Sequence, residues 1–209
     1  MTPLEALYHQ AVSNPDGVAF IDGHDRWTYA RFADQTERVA NGLLDRGIRK
    51  GDRVVLHMPN RPELAVALYA CFHIGAIAVP MNIRLKAAEL APLLQWLRPA
   101  LYIGHASLSD VMLVIDTSTL PLNRRFIAGA RSTRSEQSWE KLLGDAGFVP
   151  SAPDIHSHAL LLGTSGTTGL PKFVVHTAAT LGATTDLTAH WGLRGKRRAA
   201  LVLPMIHAS

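Results

Sequence analysis

Between residues 54 and 103 the chain alternates strand, helix, strand, helix, strand, and this alternation restricts its fold more than any other feature. Gly51-Asp52-Arg53 turns the chain into an apolar run, Val54-Val55-Leu56-His57. A helix is predicted from Pro62, whose missing N–H costs nothing in a first turn, to Ile74, where Gly75 stops it. Residues 76–79 read as the next strand, ended by Pro80. Residues 86–97 read as a helix with Leu90, Leu93, Leu94 and Leu97 on one face, broken by Arg98-Pro99. Leu101-Tyr102-Ile103 is a third strand. Strands separated by helix-length connections pair in parallel, so the fold class is α/β: a layered, parallel-rich sheet with helices on it.

Upstream, the pattern predicts a helix over 3–14, ended by Asn14-Pro15-Asp16-Gly17, and a hairpin around Asp22-Gly23-His24-Asp25. A helix over 30–46 follows, with Phe32, Val39, Leu43 and Leu44 at helical spacing and Gly47 as its C-terminal cap. Residues 106–150 are less regular. They suggest strands at 111–115 and 125–128 and a short helix over 138–146, before a linker, Pro150-Ser151-Ala152-Pro153. Residues 177–191 are predicted helical and 199–203 a final strand. No internal repeat interrupts this order.

The chemistry concentrates after the linker. Ala159-Leu160-Leu161-Leu162 runs into Gly163-Thr164-Ser165-Gly166-Thr167-Thr168-Gly169-Leu170-Pro171-Lys172, and Phe173-Val174-Val175 leaves it. Gly163, Gly166 and Gly169 let the backbone approach a ligand closely. Thr164, Ser165, Thr167, Thr168 and free N–H groups can point into one concavity, as in nests that hold phosphate oxygens. Lys172 sets a compact positive charge at the rim. An isolated glycine-rich turn usually carries no ligand, but this density of glycine and hydroxyl, closed by a lysine, points to a nucleotide's phosphates. A Walker A loop is excluded, because Lys172 follows Pro171 and precedes Phe173. A nucleophile elbow is excluded, because Ser165 lacks the second glycine at the required spacing.

Other classes find little support. A net charge of +4 is mild, and the densest basic run, Arg194 to Arg198, reads as solvated surface, so no nucleic-acid partner is expected. Cys71 is the single cysteine and lies in an apolar segment, which favours a reducing compartment and a cytoplasmic location. No signal peptide is expected from the opening residues. The longest apolar stretch, 64–80, is broken by His73 and Gly75 and is short for a membrane span, so no transmembrane segment is expected. His156 and His158 have no carboxylate or cysteine cluster beside them and do not suggest a metal site. His176, just past the loop, is a candidate for a substrate-side role.

Thr164 to Lys172, T-S-G-T-T-G-L-P-K, resembles the phosphate loop of the adenylate-forming enzymes, the superfamily of acyl-CoA synthetases, peptide-synthetase adenylation domains and luciferases. The resemblance spans the chain: Thr28-Tyr29, Gly42-Leu43, Gly51-Asp52-Arg53-Val54, Asn60, Glu63, Gly75-Ala76, Pro80, Asn82, Arg84, Glu89-Leu90 and Leu203-Pro204-Met205-Ile206-His207. Arg84 fits the pattern with structural pairing as its expected job. Three positions depart from it: Phe173 stands where glycine is usual, Gly163 where an aromatic is common, and Ala178 where many members carry histidine.

The resemblance implies the N-terminal part of an ATP-dependent acid–thiol ligase, most like the acyl-CoA synthetases. It implies that Thr164, Ser165, Gly166, Thr167, Thr168, Gly169, Pro171 and Lys172 bind the phosphates of ATP, and that Thr164 helps ligate Mg²⁺. His207 would line the acyl pocket. Coenzyme A would accept the acyl group from a fatty or related carboxylic acid, and the intact enzyme could be a homo-oligomer. The whole of 1–209 would be an incomplete N-terminal AMP-binding domain, with 1–150 as a first α/β portion and 151–209 carrying the phosphate loop. No catalytic residue is assigned, because the family's adenylation lysine, ribose-binding aspartate and adenine-binding segment have no counterpart in these residues. The 209-residue chain is therefore expected to be inactive alone, and a truncated sheet is expected to leave an open edge and exposed apolar surface. A non-catalytic nucleotide- or acyl-binding module needing a partner chain, or a gene remnant, are the alternatives.

Overall fold

Each end of the first long helices is closed by a local device. Helix α1 (Pro3–Ser13) opens with a capping box, in which Thr2 Oγ1 accepts from the Glu5 N–H at 3.2 Å and the Glu5 carboxylate accepts from the Thr2 N–H at 2.7 Å. Strands β1 (Val18–Asp22) and β2 (Asp25–Thr28) form the expected hairpin. Thr28 then caps α2 (Tyr29–Asp45), its side chain accepting from the Arg31 N–H at 3.1 Å. At the far end Gly47 takes φ +76°, Ile48 N–H bonds the Leu43 carbonyl at 3.0 Å, and Gly47 N–H bonds that of Leu44 at 2.8 Å. These are the paired bonds of a Schellman stop, which the left-handed glycine permits.

The computed structural model describes residues 1–116, 118, 120–129, 136–147, 154–164 and 172–183. After α2 the chain runs β3 (Arg53–His57), α3 (Pro62–Ile74), β4 (Ile77–Pro80), α4 (Ala87–Leu97) and β5 (Leu101–His105). Then follow α5 (Ser109–Leu113), β6 (Arg125–Ala128), β7 (Gln137–Ser138), β8 (His158–Thr164) and β9 (Lys172–Thr177). Strands β3 to β9 form one seven-stranded sheet in the order β7-β6-β5-β3-β4-β8-β9. All its pairings are parallel except the last, where β8 and β9 are antiparallel.

Alternation along the strands divides the core in two. Val54, Leu56, Ala78, Leu101, Ile103, Phe126, Leu160 and Leu162 face the layer of α1, α2 and α3. Val55, Ile77, Val79, Tyr102 and Ile127 face α4 and α5, with Leu161 and Phe173 packed beside them. Both faces are covered, as parallel strands require. Pro92 lies inside α4 and removes one helix hydrogen bond, a cost of about 3 kcal/mol. Burial of Leu90, Leu93, Leu94 and Leu97, at roughly 1.5–3 kcal/mol each, outweighs it.

Two expectations need correction. Residues 109–113 form helix α5 and not a strand over 111–115. Met112 and Ile115 are buried while Leu113 and Val114 are exposed, a spacing of three that suits a helical turn and not period-two alternation. The helix over 138–146 is reduced to one 3₁₀ turn, Trp139–Leu142. Its continuation docks on α2 instead, where Gly144 N–H bonds the Arg38 carbonyl at 2.8 Å and the Arg46 guanidinium bonds that of Lys141. A Cβ on Gly42 would stand 1.5 Å from the Leu142 carbonyl oxygen, so glycine is what admits this segment. The linker 150–153 and the strand predicted over 199–203 lie outside the described residues, as does the helix predicted to 191 beyond its helical start at 178–183.

Candidate functional site

The strand order reverses between β3 and β5: the chain leaves β3 through α3 for β4 on one side, and leaves β5 for β6 on the other. The crossovers that leave β3 and β4 use helices on opposite faces, with α3 against one half of the core and α4 against the other. Ligands of open α/β sheets bind beyond the carboxyl ends of the strands near such a point. β8 joins the sheet beside β4 and parallel to it, with Ala78 opposite Leu160. Thr164, the last residue of β8, therefore emerges at this carboxyl edge.

The predicted phosphate loop is the connection of the antiparallel β8–β9 hairpin. Its two ends meet: Thr164 is directly opposite Lys172, and Thr164 Oγ1 donates to the Lys172 carbonyl at 3.1 Å. Cross-strand partners share a face. Thr164 and Lys172 are both exposed, on the side of Leu160 and Leu162, and Gly163 and Phe173 are paired on the opposite side. Ser165, Gly166, Thr167, Thr168, Gly169 and Pro171 lie outside the described residues, as does His207. Because its proton goes to the Lys172 carbonyl, the Thr164 hydroxyl keeps lone pairs for a hard cation, which fits a Mg²⁺ ligand.

Of the other histidines, His176 lies in β9 opposite Leu160, and its Nε2 is buried without a hydrogen-bond partner among the described residues. His156 and His158 are exposed. No group of three or more His, Cys, Asp or Glu is placed to hold a metal ion among the described residues. Burial pushes the Cys71 thiol up to about 12, which makes it an inert core residue of α3. Arg84 follows a turn in which its N–H bonds Asn82 Oδ1 at 3.0 Å. Its exposed side chain joins no ion pair among the described residues.

Two groups at the same edge escaped the sequence reading. His57 ends β3 fully buried, its Nδ1 2.9 Å from the Tyr102 hydroxyl, and burial pushes its imidazole down to about 4. Arg61 precedes α3 and reaches Asp22 of β1 at 3.4 Å and Glu63 at 3.8 Å, which ties the β1–β2 hairpin to the sheet's carboxyl edge. A histidine ending the apolar run V-V-L-H was the available signal for the first, and nothing local pointed to the second.

These features define a class: a layered α/β protein that presents a hydroxyl- and glycine-rich hairpin loop at the ligand edge of a parallel sheet. The family profile described as AMP-binding enzyme matches residues 7–209, and the chain belongs to that family. It is 29% identical over 208 residues to the 2-succinylbenzoate–CoA ligase of Bacillus pumilus, covering 97% of this chain and 39% of that protein. It is 33% identical over 183 residues to the salicyl-AMP ligase / salicyl-S-ArCP synthetase of Mycobacterium tuberculosis, covering 78% of this chain and 31% of that protein. A Rhodopseudomonas palustris crystal structure whose description names a long-chain-fatty-acid CoA ligase superposes with a TM-score of 0.87 at 27% identity, over 99% of this chain and 52% of its own. The chain thus spans 39% or less of these two curated relatives' length and about half of the solved chain. Among the described residues no helix is long and apolar enough to cross a membrane.

Proposed function

We propose that the chain is the N-terminal, AMP-binding part of an ATP-dependent acid–thiol ligase. In the whole enzyme a carboxylate oxygen bonds to the α-phosphorus of ATP as the bond to the bridging oxygen breaks and pyrophosphate leaves. A thiol sulfur then bonds to the acyl carbon, AMP departs, and the thiol proton passes to solvent. Coenzyme A is the acceptor we favour, and a fatty or related carboxylic acid the substrate. The relatives' names span succinylbenzoate, salicylate and long-chain fatty acid, so the class of acid is inferred from the acyl-CoA-synthetase-like spelling around Asn82 and His207.

The observation that carries this reading is the pairing of Thr164 with Lys172 at the carboxyl edge. It brings both ends of the loop 165–171 to the place where a nucleotide is held in such sheets. Ser165, Gly166, Thr167, Thr168 and Gly169 would supply N–H and hydroxyl donors to the β- and γ-phosphates, Pro171 would fix the backbone where the loop ends, and Lys172 would set a positive charge at their rim. A bound Mg²⁺ would neutralise developing phosphate charge, with the Thr164 hydroxyl among its oxygen ligands. His207 would wall the acyl pocket.

Calorimetric titration of the purified chain with Mg·ATP tests this. Lys172→Ala is expected to weaken binding about tenfold, the worth of one charge-assisted contact, without moving the thermal midpoint. No heat at millimolar Mg·ATP, or equal affinity in the variant, overturns it. In ATP–pyrophosphate exchange the 209-residue chain is expected to be silent with every acid offered.

A further inference from the structure

The glycine and the aromatic that flank the loop face each other. Gly163 and Phe173 are direct cross-strand partners, one step inside the Thr164–Lys172 pair. A Cβ on Gly163 would lie 3.7 Å from Phe173 Cε1, so the ring spans the bare backbone of the glycine. Glycine weakens a strand by leaving nothing to pack, and an aromatic opposite restores cover. The same ring stacks on Trp96 of α4, with centroids 5.5 Å apart and planes 14° from parallel. Trp96 remains 64% exposed, and α4 is already anchored by four buried leucines. Burial of Trp96 therefore does not account for the stack. By strand alternation the ring projects from the face opposite Thr164 and Lys172, so it can brace the loop's mouth without entering the ligand's path. The two positions at which the loop's flanks depart from the family spelling are thus one contact.

We infer that Phe173 is a positioning residue of the phosphate loop. Set against Gly163 and stacked on Trp96, its ring fixes the spacing of β8 and β9 where they release the loop, and so holds Thr164 and Lys172 in place. The consequence for nucleotide binding rests on the proposed function, whereas the clamp itself does not.

Amide hydrogen exchange on the full 209-residue chain tests the clamp without any ligand. Phe173→Leu and Trp96→Ala are each expected to speed exchange at Gly163, Thr164, Lys172 and Phe173 or its replacement by about threefold to tenfold, the worth of one aromatic pair. Exchange in β3 should stay unchanged, and Phe173→Tyr should retain wild-type protection. Wild-type protection in Phe173→Leu, or an equal rise in β3, would overturn the assignment, because bulk or global stability would then suffice. Calorimetry with Mg·ATP is the second arm: the dissociation constant should rise by a similar factor in Phe173→Leu and recover in Phe173→Tyr. Equal affinity in Phe173→Leu and wild type overturns the coupling to the loop. If the wild-type chain gives no heat, the nucleotide reading fails, and the exchange data alone decide the role of Phe173.

Discussion

Val54, Val55, Leu56 and Ala78, in the middle of the sheet, are completely buried, whereas Val174 and Val175 of β9 are 43% and 45% exposed. The valines of the two strands are the same residue type and their surroundings are not. β3 and β4 lie between strands on both sides and helices on both faces. β9 has a strand on one side only among the described residues. The proposed phosphate loop hangs from the second kind of strand, at a margin of the described sheet. Loops that must admit a ligand are drawn from such low-stability regions, while the scaffold that aims them is not.

The contrast can be broken by mutation. Leu56→Ala removes a fully buried side chain from the central strand and should cost about 2–5 kcal/mol in denaturant unfolding. A loss below about 1 kcal/mol would show that the centre is not the tightly packed part.

A smaller effect should come from His57. Burial holds its folded pKa near 4, below the ordinary value of 6.5, so only the unfolded chain gains this proton between those values. Its contribution to stability is fully present above pH 6.5 and is lost as the pH falls toward 4, by up to about 1.4 kcal/mol per pH unit. His57→Gln should flatten the profile in that window, as read by unfolding at stepped pH. An unchanged slope would place His57 in contact with solvent and make the centre less dry than described.

The smallest change is expected in the hairpin, where Val174→Ser should alter stability by no more than about 0.5 kcal/mol. A loss approaching that of Leu56→Ala would mean that β9 is covered in solution, and the contrast between centre and edge would disappear.

The sequence by itself determined the α/β alternation, the ends of α2 and α3 at Gly47 and Gly75, the hairpin of β1 and β2, and the family. Each depends on neighbours in the chain: a glycine that tolerates positive φ, a proline in a first turn, leucines at helical spacing, a contiguous T-S-G-T-T-G-L-P-K. It misread 111–115, where two exposed apolar residues between buried ones mimic a strand, and 138–146, where backbone groups that could have closed a helix bond α2 instead. Tertiary structure alone decided that β8 lies beside β4, which carries Thr164 to the carboxyl edge. It alone dried His57 beneath the turn at Asn82, set Arg61 against Asp22, and turned two unrelated-looking departures, Gly163 and Phe173, into one stacked contact with Trp96. These contacts join residues tens of positions apart or across a loop. Their energy comes from pairing and burial that no local window of sequence contains.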